Sequence, residues 1–311
     1  MLENMDVLSQ LVAATRMGRP RSFVVECHPP WARRYSAVPG AGLHLILEGS
    51  VYLVSPGGAI TSLAVGDVLL LPTGSDHVLA DDPAREVRDL VDDSSGQYDD
   101  GVVVIGPDGP RSPGPRSVML CGVYFFDQGR RHPLLGRLPD VLHLPARLGR
   151  QDDLGATVSL LAGELAARRP GSDAAVSSLL DLLFIQILRT WHAEHPDVAW
   201  SAALADVFVG KALSTMHDQP DKSWTVADLA DLVGLSRAAF AKRFKQLVGQ
   251  SPVTYLTWWR LTVAGQLLRS TDLLLAQIAA RVGYATEYAF AAAFKREYGV
   301  TPGAYRRKSA L

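Results

Sequence analysis

Chemical reach in this 311-residue chain is concentrated in two cysteines, a few histidines and a set of basic side chains near the C-terminus. Cys27 stands in "VECHPPW" beside His28, and a neighbouring imidazolium can lower a thiol pKa and favour the oxidisable thiolate. Cys121 stands in the apolar run "MLCGVYFF". The alternative, and the commoner fate of a cytosolic cysteine, is that both are buried small hydrophobes. Two are too few for a disulfide framework or a thiolate zinc cluster. His44 and Glu48 invite pairing around a metal, yet four residues apart on one strand they would stand about 13 Å from each other, too far to share an ion.

The basic residues sit in a repeat. "LADLVGLSRAAFAKRFKQLVGQSPVTY" from Leu229 and "IAARVGYATEYAFAAAFKREYGVTPGAY" from Ile278 match at an offset of 49 through Gly234/Gly283, and of 50 from Phe240/Phe290 through Tyr255/Tyr305. Each copy has a short apolar helix, a glycine turn and a capping Ser236 or Thr286 that opens a second helix. In the first copy Phe240, Phe244 and Leu247 recur at spacings of four and three and must face a core. The opposite face then carries Ala238, Ala241, Lys242 and Lys245, with Arg237 at the N-terminal end. That is the face a DNA major groove would meet. The charge balance agrees. The chain as a whole carries a net charge of −1, but from Lys211 to Leu311 there are 14 Lys and Arg against 7 Asp and Glu.

The elements that must position these residues fall into three stretches. From Ala41 to Ala80, short runs rich in Val, Leu and Ile are separated by Gly-Ser, Ser-Pro-Gly-Gly and Pro-Thr-Gly, which marks strands joined by turns. Another strand is expected over Ser117–Phe126, with "DDSSGQYDDGVVVIGPDGPRSPGPRS" before it as a long loop. Two amphipathic helices follow, broken at Pro170 and Gly171, and the second is apolar around much of its circumference, so it must be covered by the strand domain or by another subunit. A hinge at "HPDVAW" leads to an all-helical domain, in which Ser251 and Pro252 open a helix of about 18 residues between the two repeats. No uncharged apolar run reaches the length of a membrane span, and the acidic, amphipathic N-terminus is unlike a secretory signal. A cytoplasmic protein with no membrane partner is expected.

The two repeats and the helix between them resemble the AraC/XylS family of bacterial transcription regulators from near Ala202 to Lys308. The resemblance implies double-stranded promoter DNA and RNA polymerase as partners, with Ala238, Ala241 and Lys242 at base-contacting positions of the first unit and Glu287, Tyr288, Ala291 and Ala292 at those of the second. Lys295 and Arg296 would reach phosphates. Family members commonly carry Arg where this chain has Ala292, and alanine has no donor for a guanine edge, so the first copy is expected to dominate specificity.

"GDVLLLPTGSDH" resembles the second cupin motif, with His77 at the position that ligates a metal in metal-binding cupins. The first motif is not intact, so His44 and His77 are expected as polar residues lining a barrel, with no metal, cofactor or catalytic set. The fold expected is α+β: a cupin-like barrel that senses a small-molecule effector or an oxidant (1–150), a helical hairpin that forms a homodimer (151–200), and a DNA-binding domain with two helix-turn-helix units (201–311). The chain also looks similar to the reactive-chlorine-responsive branch of the family, which switches through oxidised cysteines. A Cys27–Cys121 disulfide would require Cα atoms within about 7 Å. The competing expectation is a metal-dependent cupin dioxygenase or isomerase with an accessory helical domain.

Overall fold

The computed structural model describes residues 6–15, 20–55, 57–85, 102–105, 114–126, 138–146, 153–167, 169–196 and 198–309. The chain opens with helix α1 (Val7–Thr15), begun by Asp6, whose carboxylate accepts from the Ser9 amide and hydroxyl. Two compact units follow from the contacts: residues 17–129 with 138–191, and residues 192–311 together with 1–16 and 130–137.

Among the described residues the first unit holds ten strands, formed by its short runs rich in Val, Leu and Ile. They are β1 (Arg21–Cys27), β2 (Ala32–Tyr35), β3 (Gly40–Glu48), β4 (Ser50–Val54), β5 (Ile60–Ala64), β6 (Val68–Leu71), β7 (His77–Ala80), β8 (Val102–Ile105), β9 (Ser117–Phe125) and β10 (Leu142–Leu144). They form one sheet in the order β10-β6-β3-β9-β1-β8 and another in the order β2-β7-β4-β5. In β1, Phe23, Val25 and Cys27 turn inward while their neighbours do not, the period of two that one buried face imposes. Leu53, Leu63, Leu79, Leu69 and Met119 join them in the core.

Strand β8 corrects the expectation of an uninterrupted loop between the apolar runs. It pairs in parallel with β1, Val24 opposite Val102 through Cys27 opposite Ile105. The rest of that stretch, 92–101 and 106–113, lies outside the described residues.

Helices α2 (Asp153–Ala167) and α3 (Ser172–Glu194) complete this unit as a hairpin turned at Gly171. Among the described residues α3 is the one helix long and apolar enough to cross a membrane by length and composition. Its Leu180, Leu183, Phe184, Ile187 and Leu188 are nonetheless buried, with Phe184 against the rings of Tyr124 and Phe126 and the Tyr124 hydroxyl donating to the Leu180 carbonyl.

The second unit is helical: α4 (Ala199–Ala205), α5 (Val207–Asp218), α6 (Val226–Val233), α7 (Arg237–Val248), α8 (Pro252–Ser270), α9 (Leu275–Arg281), α10 (Glu287–Tyr298) and α11 (Pro302–Ser309). Helices α6–α7 and α9–α10 are the two repeats. Helix α8 joins them, capped by the Ser251 hydroxyl on the Thr254 amide, with Pro252 at its first position and 19 residues giving a rod of about 28 Å.

Candidate functional sites

The paired helices present similar faces built on the same supports. In α7 the Ser236 hydroxyl accepts from the Ala239 amide at 3.3 Å; in α10 Thr286 accepts from Ala289 at 3.1 Å. Phe240 and Phe244 are fully buried with rings 5.7 Å apart, and Phe290 and Phe294 repeat this at 5.6 Å. The aromatic pairs fix the rotation of each helix. Arg237, Ala238, Lys242 and Lys245 are consequently exposed, and Ala241 is half-buried. On α10 Glu287, Tyr288, Ala292, Lys295 and Arg296 are exposed and Ala291 is half-buried, with Tyr288 at 81% the most exposed large apolar side chain of the described residues.

Arg243 and Arg260 are among the basic residues of this unit that have other work, which sequence reading missed. Arg243 donates from Nε to the Asp206 carboxylate at 2.7 Å and lies over the Phe208 ring, tying α7 to the cap of α5. Its counterpart in the second copy is the buried Ala293. Arg260 donates to the carbonyls of Pro220 at 2.6 Å and Lys222 at 2.8 Å, fastening α8 to the loop before α6.

The strand unit brings together His44, His77 and Cys121, and adds Tyr35. Register decides this. His44 on β3 is opposite Cys121 on β9 in one sheet, and Tyr35 on β2 is opposite His77 on β7 in the other. All four are buried and meet between the sheets. Burial holds both imidazoles below their ordinary range, His44 furthest, and pushes the Cys121 thiol up to about 12 and the Tyr35 phenol up as well. The cluster is therefore neutral.

Neutrality fixes the direction of every hydrogen bond in it. His77 Nδ1 lies 3.0 Å from the Ser75 carbonyl oxygen, which can only accept, so Nδ1 carries the proton and Nε2 is bare. His44 Nε2, 2.8 Å from that bare nitrogen, must donate to it. His44 Nδ1 is then an acceptor, and the Cys121 S–H at 3.1 Å supplies its proton. Tyr35 O–H, 3.5 Å away, completes the chain by donating to the sulfur. A thiol, a base aligned to take its proton and a third group orienting the base form a nucleophile arrangement. It lines a small recess, partly open to solvent, whose other walls include Phe23, Ser36, Val38, Ser75 and Val123.

Cys27 is not part of this cluster. On β1 it is opposite Ser117, whereas Cys121 is opposite Phe23, so the two cysteines are offset by four residues, about 13 Å of strand. That exceeds the separation a disulfide spans. The expected activation of Cys27 by His28 is also overturned: His28 Nε2 bonds to Glu26 Oε1 at 2.9 Å, and burial pushes the Cys27 thiol well up. Glu48 pairs with Arg116 at 3.0 Å, away from His44. Tyr35, which has no motif around it, could have been found only by the pairing of β2 with β7.

Comparison with known proteins places these features in context. The family described as Cupin matches residues 6–193, and the Helix-turn-helix domain family matches residues 229–308. The chain is 30% identical over 311 residues to the HTH-type transcriptional regulator AlkR of Acinetobacter baylyi, covering 98% of this chain and 100% of that protein. It is 30% identical over 268 residues to the RCS-specific HTH-type transcriptional activator RclR of Escherichia coli, covering 85% and 84%. To a putative AraC-like transcription regulator of Streptomyces lividans it is 34% identical over 282 residues, covering 89% and 90%.

Proposed function

Because the chain belongs to the AraC family of transcription regulators, with a cupin domain ahead of its paired helix-turn-helix units, and is not an enzyme, we propose that it switches promoter occupancy in the cytoplasm from a signal received at the Cys121 recess. The reading rests above all on the two helices α7 and α10, each exposing a face free of core contacts at either end of α8. A rod of about 28 Å suits recognition helices that enter successive major grooves, which repeat at about 34 Å. Lys242 and Arg237 read base edges, while Lys245, Lys295 and Arg296 neutralise phosphates. Tyr288 and the alanines of α10 offer apolar contact to thymine methyl groups.

A homodimer formed through α2 and α3 doubles the contact with DNA. Leu160 at 60% exposure and Leu182 at 40% leave apolar surface on that hairpin. RNA polymerase is the partner that turns occupancy into transcription. The signal is a small molecule or an oxidant, and a cysteine response runs through Cys121 alone, since the offset of four residues keeps Cys27 out of reach. Genomic footprinting with and without hypochlorite tests the whole reading. Discrete promoter footprints that change with treatment, in wild type and Cys27→Ala but not in Cys121→Ser, are expected; absence of any sequence-selective footprint would overturn it.

A further inference from the structure

We propose that Cys121 is a covalent receptor for small uncharged carbon electrophiles of the α,β-unsaturated carbonyl class, with His44 as the base that moves its proton. The inference rests on the reading of the recess as the signal-receiving site, and it names the class of signal. The hydrogen-bond directions leave one reactive feature in the cluster. Both nitrogens of His44 and of His77 are committed to partners within it, so a polar ligand gains no free imidazole. Beside Ser36 and Ser75, Phe23, Val38 and Val123 make the remaining wall mostly apolar and no charged side chain among the described residues lines it, which favours a small uncharged molecule. Oxidation suits the site less well. A sulfenic acid at Cys121 would add a hydroxyl to a cluster already satisfied, and Cys27 is four residues out of register for resolving it to a disulfide.

The addition needs no oxidant and expels no leaving group. The sulfur of Cys121 bonds to the β-carbon as the S–H proton passes to His44 Nδ1, 3.1 Å away. The π electrons of the carbon–carbon double bond move toward the carbonyl oxygen as an enolate, and Tyr35, whose hydroxyl is held only loosely at 3.5 Å from the sulfur, is the donor for that charge. The proton on His44 then returns to the α-carbon, giving a thioether and restoring both rings. While His44 is cationic its Nε2–H still donates to His77, whose Nδ1–H donates to Ser75, so the charge is supported along the chain. The product breaks the S–H bond to His44 that joins β9 to β3 within the interior, which is how occupancy would reach the strands.

The test treats the full-length protein with acrolein and follows intact mass, peptide maps and promoter binding. One adduct on Cys121 is expected, with Cys27 unmodified and Cys121→Ser unreactive. His44→Gln should slow the reaction about a hundredfold. It should also change the pH profile: level near neutrality in the wild type, where the proton moves inside the site, and rising with pH in the variant, where solvent must remove it. Reaction at Cys27 in preference to Cys121, or the same pH profile in both proteins, would each overturn the proposal. An adduct on Cys121 that leaves promoter affinity unchanged would sink the recess as signal site while the chemistry stands. Failure of acrolein to modify Cys121 while hypochlorite still alters promoter binding would sink the electrophile class and leave the recess reading intact.

Discussion

Gln10 and His217, 207 residues apart in the chain, share a hydrogen bond of 3.0 Å that builds α1 into the helical unit. Burial pushes His217 down to about 3, so the ring is neutral. The amide oxygen of Gln10 can only accept, so His217 Nδ1 donates and Nε2 accepts from the Tyr255 hydroxyl at 2.6 Å. Gln10 Nε2 donates to Asp218 at 2.7 Å, and the His217 ring stacks on Trp259 at 3.8 Å. Gln10→Leu removes the acceptor for a buried N–H, and is expected to cost about 1 to 3 kcal/mol of stability in this unit. Urea unfolding followed by tryptophan fluorescence measures it; an unchanged midpoint would mean that α1 does not hold this position in solution.

The same ring sets an acid limit. In the unfolded chain His217 titrates near 6.5, and in the fold near 3, so between these values the unfolded state binds a proton that the folded state does not. Stability from this residue is complete above about 6.5 and is lost as pH falls through the window below it. The slope approaches about 1.4 kcal/mol per pH unit for one such group. His217→Gln should flatten the stability profile of the helical unit between about pH 6.5 and 4; parallel profiles for the two proteins would remove His217 as the cause.

Specificity on DNA should be uneven between the repeats. Lys242→Ala is expected to cost about 1 to 3 kcal/mol at the operator and to relax preference at one base position. Lys295→Ala should instead weaken binding to all sequences alike and reduce the salt slope by about one. Binding titrations at several salt concentrations separate the two. Equal losses on operator and random DNA for Lys242→Ala would reassign it to the backbone.

These features differ in how far the sequence alone reveals them. The helix-turn-helix units are local: a cap at Ser236 or Thr286, a turn glycine and aromatic residues four apart are all within one short window, and the folded chain keeps them there. The strands around His44 are equally local, as short apolar runs bounded by turn residues. Contacts between elements are not. The parallel partner of β1 lies hidden in a stretch rich in Gly, Pro and Asp, because parallel pairing is non-local and leaves no turn signal. Arg243 looks like one more basic residue of α7 until Asp206, 37 residues earlier, is placed beside it. Tyr35 joins the thiol cluster only once both sheets are in register.

The offset of the two cysteines in that register has a direct consequence. Hypochlorite-treated protein digested without reduction should yield no peptide joining Cys27 to Cys121 within one chain, because bonding them requires β1 and β9 to separate. A substantial yield of that peptide, with the strands still protected from hydrogen exchange, would show that the register is wrong.

The turn glycines of the two repeats carry the last expectation, since they share a conformation but not an environment. Gly234 has φ +73° and Gly283 φ +76°, so an L-residue at either position bears a left-handed backbone cost of about 1 to 2 kcal/mol. Around Gly234 a Cβ would meet no atom within 4 Å. At Gly283 it would stand 2.8 Å from the carbonyl oxygens of both Pro220 and Asp221 and 2.7 Å from the Arg260 guanidinium. Backbone carbonyls cannot step aside cheaply, and moving them breaks the bonds that Arg260 makes to Pro220 and Lys222. Gly283→Ala should therefore be more destabilising than Gly234→Ala by about 1 to 3 kcal/mol, a cost typical of overpacking. Thermal unfolding of the two variants decides it, and equal losses would mean the second turn is free of the loop. The expected inequality agrees with the proposed division of labour on DNA, in which a second turn wedged against the loop that α8 holds keeps register and an open first turn leaves α7 to read.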